Sequence, residues 1–222
     1  MTSTQTLGEL VTRYPGAAKV FYNHGLDYCC GGAQTLDEAC REKSLDPDQV
    51  LAEVQAPEAG SSNQVRWEEQ PLGDLVDHIL SRYHAPLREE LARLIDLAAK
   101  VEQAHADKPD CPRGLKQHLI GIAEAVESHL AKEEQILFPL IKAGQTQGAA
   151  NPIRVMVHEH ESHGENLGKT RTMTGDFHLP AEACTTWAEL YRSLQRLEKD
   201  LMDHIHLENN ILFPRVLNAG QG

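Results

Sequence analysis

From Pro71 onward the apolar residues recur in steps of three and four: Leu72, Leu75, Val76, Ile79, Leu80 and Tyr83, then Leu87, Leu91, Leu94, Ile95 and Ala98. Such spacing places them on one face of a helix. Continued along the chain, the pattern predicts four long helices at about 71–104, 112–143, 151–173 and 181–217. The breaks between them, around Lys108–Pro112, Ala143–Pro152 and Thr174–Pro180, contain the Gly and Pro expected where one helix stops and the next starts. The first fifty residues follow a different pattern. Thr6 with Glu9, and Thr35 with Glu38, match the capping box that opens a helix, and short helices are predicted at about 7–23, 36–43 and 47–54. Gln55 to Gln64 is rich in Pro, Gly, Ser and Asn without periodicity and reads as a linker. No segment reads as a strand. The chain is therefore predicted to be all-α, with a small helical N-terminal unit (1–54), a linker (55–70) and a four-helix bundle (71–222).

Two of the long helices carry the same short text. His129, Glu133, Ile136, Leu137, Phe138 and Pro139 stand at the same offsets as His204, Glu208, Ile211, Leu212, Phe213 and Pro214. Four residues advance about 400° and ~6 Å along a helix, so His and Glu of each copy share a face and can reach one site. Each copy also follows another His by nearly the same distance, 45 residues from His84 to His129 and 44 from His160 to His204. The chain thus reads as two helical hairpins, each contributing two imidazoles and one carboxylate to a shared interior, as helix bundles do when they build metal sites. Six such ligands exceed what one structural zinc takes, and mixed imidazole and carboxylate donors suit two iron ions with bridging carboxylates. Spacing alone leaves the upstream ligand open between His78 and His84 in the first hairpin, and among His158, His160 and His163 in the second. Pro86, Pro139 and Pro214 each fall just past a ligand position, where a proline should kink the helix; there Phe138 and Phe213 would cap the site with apolar surface.

Composition narrows the classes. With 21 basic and 33 acidic residues in 222, the net charge is −12 and no Lys/Arg cluster occurs, which disfavours nucleic acid as a partner because phosphate binding needs a concentrated basic surface. No run of some 18 apolar residues and no secretory leader pattern is present, so no membrane association and a cytoplasmic location are expected. Five scattered cysteines do not form a secreted disulfide framework, and reduced thiols are expected. No nucleotide loop or flavin fingerprint is present, so any electron donor would be external.

With these residues in place the chain resembles the hemerythrin-like di-iron proteins, and among them the repair-of-iron-centres family (Ric, YtfE/ScdA). The resemblance covers nearly the whole chain. It runs through Asp27-Tyr-Cys-Cys-Gly-Gly32, Asp77 to His84, Val101 to Pro109, Ser128 to Pro139, Glu159-His160, Ala183-Cys-Thr-Thr-Trp187 and Leu201 to Pro214. It implies a hemerythrin-like four-helix bundle with a small N-terminal helical domain. It also implies His84, His129, His160 and His204 as terminal ligands, Glu133 and Glu208 as bridging carboxylates, and two non-haem iron ions with room for an oxo bridge. His78, His158 and His163 then fall to the surface or to supporting positions. Typical hemerythrins use a fifth His and an Asp; the set here lacks a clear fifth, which implies a more open coordination and argues against simple oxygen carriage.

The function implied is repair of iron–sulfur clusters damaged by nitrosative or oxidative stress, by donation of iron to damaged iron–sulfur proteins. Two alternatives stand beside it: a di-iron nitric oxide reductase producing nitrous oxide, and a sensor that binds oxygen or nitric oxide. Ferritin-like chemistry fits less well, because those sites use Glu-x-x-His and this chain uses His-x-x-x-Glu. The resemblance does not decide the client, the electron donor or the oligomeric state.

Glu159 and Asp203 each directly precede one of these His residues and project about 100° away around the helix. Either can orient a ligand on a neighbouring helix or line a polar path, with a solvated helix residue as the alternative reading; Glu159 is the candidate for a catalytic role. Tyr83 and His105 are weaker candidates of the same kind. Cys29 and Cys30 precede Gly31-Gly32 at a tight turn, where a disulfide between neighbours would be strained. Such a pair is suited to a soft metal or to thiol chemistry, unless one thiol is simply core. In the resembling family the same motif lies in the N-terminal domain, and the expectation is that Cys29 and Cys30 transiently hold iron or engage the client. Cys40, Cys111 and Cys184 have no partner at metal spacing and read as structural.

Overall fold

The computed structural model describes residues 1–14, 16–56 and 65–220. In the N-terminal unit, α1 (Leu7–Arg13) and α3 (Leu36–Lys43) open on the two expected capping boxes, with the Thr6 and Thr35 hydroxyls accepting from the Glu9 and Glu38 amides. The two caps lie side by side as an isolated antiparallel bridge, and no strand forms among the described residues. The single helix expected over 7–23 is two, α1 and α2 (Ala17–Asn23), because Tyr14 precedes Pro15 and takes an extended backbone (φ −124°, ψ 107°). With α4 (Pro47–Gln55), these helices enclose a core that includes Leu7, Leu10, Phe21, Tyr28, Leu36 and Val50. Of the expected linker, residues 57–64 lie outside the described residues. Trp67 to Gln70 is held to the bundle by Arg215, whose guanidinium donates to the carbonyls of Trp67 and Gln70.

The four long helices form the bundle. The first runs from α5 (Leu72–Ile79) through a π-helical turn (Leu80–His84) into α6 (Ala85–Ala104). The second is α7 (Leu115–Lys132), a π-turn (Glu133–Leu137) and α8 (Phe138–Lys142); the third is α9 (Thr146–Met173); the fourth is α10 (Thr185–His206), a π-turn (Leu207–Leu212) and α11 (Phe213–Ala219). The second helix starts at Leu115 rather than near 112 because Gly114 takes a left-handed conformation (φ 84°). The third starts earlier than 151, with Pro152 inside its early turns.

At each of the prolines expected to kink a helix the backbone forms a π-turn. Ala85, Phe138 and Phe213, each directly before a proline, donate five residues back to the carbonyls of Leu80, Glu133 and Glu208. A proline ring clashes with the carbonyl four residues back, and the wider turn relieves that clash.

Two apolar cores divide the bundle. One contains Leu91, Leu94, Leu119, Ile122, Trp187 and Leu194; the other contains Ile79, Phe138, Ile141, Ile153, Met156 and Phe213. Along the first three long helices the chain passes from one core to the other at a His or Glu, Ile79 to Leu87 across His84, Leu130 to Leu137 across Glu133 and Met156 to Leu167 across His160, and along the fourth it passes from Ile205 to Leu207, between His204 and Glu208. A polar layer therefore lies between two apolar ones.

Candidate metal centre

The layer contains six residues with almost no solvent exposure: His84, His129, Glu133, His160, His204 and Glu208. They fall into two clusters, His84 with His204 and His129 with His160, and both clusters include Glu133 and Glu208; within each, one potential ligand atom per residue lies within 4.8 Å of the others. Nε2 of His84 is 3.2 Å from Nε2 of His204, and Nε2 of His160 is 3.1 Å from Nε2 of His129. Glu208 places one oxygen 3.1 Å from His204 Nε2 and the other 3.1 Å from His160 Nε2. A single oxygen of Glu133 lies 3.4 Å from both His84 Nε2 and His129 Nε2.

Neither oxygen of Glu133 has a hydrogen-bond partner, nor does one oxygen of Glu208. Buried carboxylates without partners are costly, and a cation among them removes the cost, so the donor set fits metal ions. Burial pushes His84 down to about 4 and His129 to about 3, which keeps both rings neutral near pH 7 with a lone pair to give. Burial, with the charge of Glu208 beside it, holds Glu133 well above the usual carboxylate range. Burial alone would raise Glu208 too, but His204 and His160 outweigh it and hold it low.

The outward nitrogens of the four rings are treated differently. His84 Nδ1 lies 2.9 Å from Glu134, which also receives Arg88; His129 Nδ1 lies 3.0 Å from Glu159, which also pairs with Lys132. His160 Nδ1 lies 2.8 Å from the amide oxygen of Asn209, and His204 Nδ1 has no partner. Phe138 stacks on His84 and Phe213 on His160, with ring centroids 5.5 and 6.0 Å apart, while Tyr83 stacks on His204 at 5.4 Å. Glu159 thus reaches a ligand candidate on the neighbouring helix, whereas Asp203 accepts instead from the Tyr28 hydroxyl at 2.6 Å. Glu134 and Asn209 were missed from the sequence, yet each directly follows the Glu of its repeat copy.

Of the competing histidines, His78 stacks on Trp67 and His158 is exposed. His163 is buried beside His129, 4.9 Å between ring centroids, with neither nitrogen partnered. Cys29 is buried among bundle core residues and Cys30 is half-buried, with their sulfurs 3.7 Å apart. The amides of both cysteines and the Cys29 thiol donate to one oxygen of Asp27, so these three residues form a further group of metal-binding type. The hydrogen bond to Cys30, burial and the charge of Asp27 push the Cys29 thiol up.

Cys184, expected to be structural, is exposed instead. The end of α6 and the start of α10 meet there, and its sulfur lies 3.2 Å from His105 Nε2, an interaction that brings the thiol down to about 7.

Residues 75–216 match the hemerythrin HHE cation binding domain, and residues 3–58 match ScdA_N, a domain of unknown function. The chain is similar to the iron-sulfur cluster repair protein YtfE of Escherichia coli O157:H7, 48% identical over 217 residues and 98% of each chain. It is likewise 46% identical over 215 residues, 97% of each chain, to the protein of that name from Yersinia pseudotuberculosis serotype O:1b (strain IP 31758). Among the described residues, no helix is long and apolar enough to cross a membrane.

Proposed function

Because the chain belongs to the hemerythrin HHE cation-binding family and matches iron–sulfur cluster repair proteins along nearly its whole length, we propose that it holds two non-haem iron ions and supplies iron to iron–sulfur proteins damaged by nitrosative or oxidative stress. The observation that carries this reading is the sharing of two fully buried carboxylates by two pairs of imidazoles. His84 and His204 would hold one ion and His129 and His160 the other, with Glu133 and Glu208 common to both groups. When bound, iron supplies electrons and open coordination positions for small diatomic ligands.

Glu134, Glu159 and Asn209 fix three of the rings so that their Nε2 lone pairs face inward. Glu133 has the longer contacts and no hydrogen bonds of its own, so of the two carboxylates it would be the freer to move when iron is released. Cys29, Cys30 and Asp27 receive the departing iron and pass it to the client. The activity is assigned to the cytoplasm, where reduced thiols and iron–sulfur enzymes coexist.

The test is anaerobic: protein loaded with labelled ferrous iron is mixed with a nitric-oxide-damaged dehydratase, and Mössbauer spectroscopy follows the label. Label appearing in the client with recovered activity is expected, and replacing both Cys29 and Cys30 by Ser should abolish the transfer while leaving the iron content of the bundle intact. Label that stays in the bundle while nitrous oxide accumulates over many turnovers would replace this reading with a reductase.

A further inference from the structure

Two of the three partnered rings are held by carboxylates that are themselves paired with a cation, Glu134 with Arg88 and Glu159 with Lys132. The third, His160, is held by a neutral amide that extends outside the bundle. Asn209 meets His160 Nδ1 at 2.8 Å with its oxygen, and its nitrogen donates at 3.2 Å to the carbonyl of Cys29. Both bonds are satisfied only if the amide oxygen accepts from an Nδ1–H, which fixes His160 in the tautomer whose Nε2 lone pair faces the cluster.

The next residue continues the contact. Asn210 donates to the carbonyls of Tyr28 and Cys29, at 3.1 and 3.5 Å. Its side chain fits only because Gly8 and Gly32 have none: a Cβ on either would fall 2.5 or 2.3 Å from the Asn210 oxygen. The Cys30 thiol in turn donates to the carbonyl of His160 at 3.3 Å. Glu208, Asn209 and Asn210 all stand on the one π-turn of the fourth helix. A single turn of backbone therefore touches both His/Glu clusters and the dithiol loop.

We infer that Asn209 is a positioning residue that couples metal occupancy at the His129/His160 cluster to the state of the Cys29–Cys30 loop. A cation at His160 Nε2 draws charge from the ring and makes Nδ1–H a stronger donor. The amide is polarised in the same sense and tightens its bond to the Cys29 carbonyl, as linked hydrogen bonds do. Coupling of this kind is reciprocal, so a loop pulled away from Asn209 weakens the hold on the metal by the same factor. Engagement of the dithiol by a client thereby loosens the ion to be delivered. The inference rests on the proposed occupancy of the clusters by iron.

The test is the rate at which N-ethylmaleimide modifies Cys30, read peptide by peptide by mass spectrometry in anaerobic full-length protein with and without ferrous iron. Iron content and chelator competition are measured on the same samples. Iron should slow modification of the wild type about tenfold, within the usual range of coupling between sites. Asn209→Asp keeps the acceptor for His160 but loses the donor to Cys29. It should still take up iron, yet react at Cys30 equally fast with and without it. Asn209→Leu loses both bonds and should weaken iron binding as well. An iron-replete Asn209→Asp that keeps the wild-type protection would overturn the coupling alone; wild type that takes up no iron would overturn both the coupling and the proposed function.

Discussion

The two His/Glu clusters are built from a repeated sequence but are not equivalent. In the His129/His160 cluster both outward nitrogens are held, by Glu159 and Asn209, and the dithiol loop lies against His160. In the His84/His204 cluster only His84 is held, by Glu134. At the position that corresponds to Glu159, directly before the upstream His, the first hairpin has Tyr83; it covers the face of His204 and leaves Nδ1 without a partner. Tyr83 and His204 also form part of the wall of a cleft of about 550 Å³ between α6 and α10. One half of the centre is thus anchored and adjoins thiols, and the other is loosely held and adjoins a cleft. The lesson is that two differences between the copies, Tyr83 where the other has Glu159 and Glu134 where the other has Asn209, convert a symmetric set of donors into a site with two distinct sides.

The largest effect should come from erasing what the halves share. Glu208→Ala removes a carboxylate common to both clusters, and iron measured by mass spectrometry after anaerobic reconstitution should fall to background rather than to half. A half-loaded product would show that the halves are independent. Next, Glu159→Ala should weaken iron binding by roughly ten- to a hundredfold in chelator competition, as loss of a partner behind a metal-binding His does. Tyr83→Phe, at the corresponding position but with no hydrogen bond to a ring nitrogen to lose, should change it far less. Equal losses would abolish the proposed asymmetry.

Acid should not distinguish the halves in the metal-free protein. His84 and His129 have folded values of about 4 and about 3, below the unfolded value near 6.5. The unfolded chain therefore binds more protons in that interval. The stability contributed by the neutral buried rings is complete above about pH 6.5 and lost as pH falls toward 4 and 3. Denaturant midpoints should drop over that window, and His84→Gln and His129→Gln should each flatten the drop.

The smallest effect belongs to the cleft side. Arg82 pairs with Asp200, both about half exposed, so Asp200→Asn should change stability by no more than about 1 kcal/mol. The same change should speed removal of iron by a chelator, if the cleft is its route, and an unchanged rate would move the exit elsewhere.

Much of this was legible in the sequence because it is local. Apolar steps of three and four located the long helices, and Thr6/Glu9 and Thr35/Glu38 located two helix starts. The repeated His-x-x-x-Glu text named residues that the fold brings together. What was not legible depends on partners distant in the chain or on backbone geometry that propensity does not encode. Asn209 faces Cys29 across 180 residues, and Cys184 faces His105 across 79. The π-turns follow from prolines set just past ligand positions, for which the usual expectation is a kink. Glu134 was within reach: it occupies the position after Glu133 that Asn209 occupies after Glu208, so the repeat marks both residues once the neighbouring ring is known.

The polar layer between the two apolar cores also bears on the lifetime of the molecule. Without an ion, the two oily ends are joined through buried carboxylate oxygens that nothing satisfies. An ion bound there adds its binding free energy to the folded state alone. A molecule that has given up its metal is then the more easily opened one and the better target for a protease. If iron is delivered as proposed, giving it up and becoming easier to unfold are thereby one event.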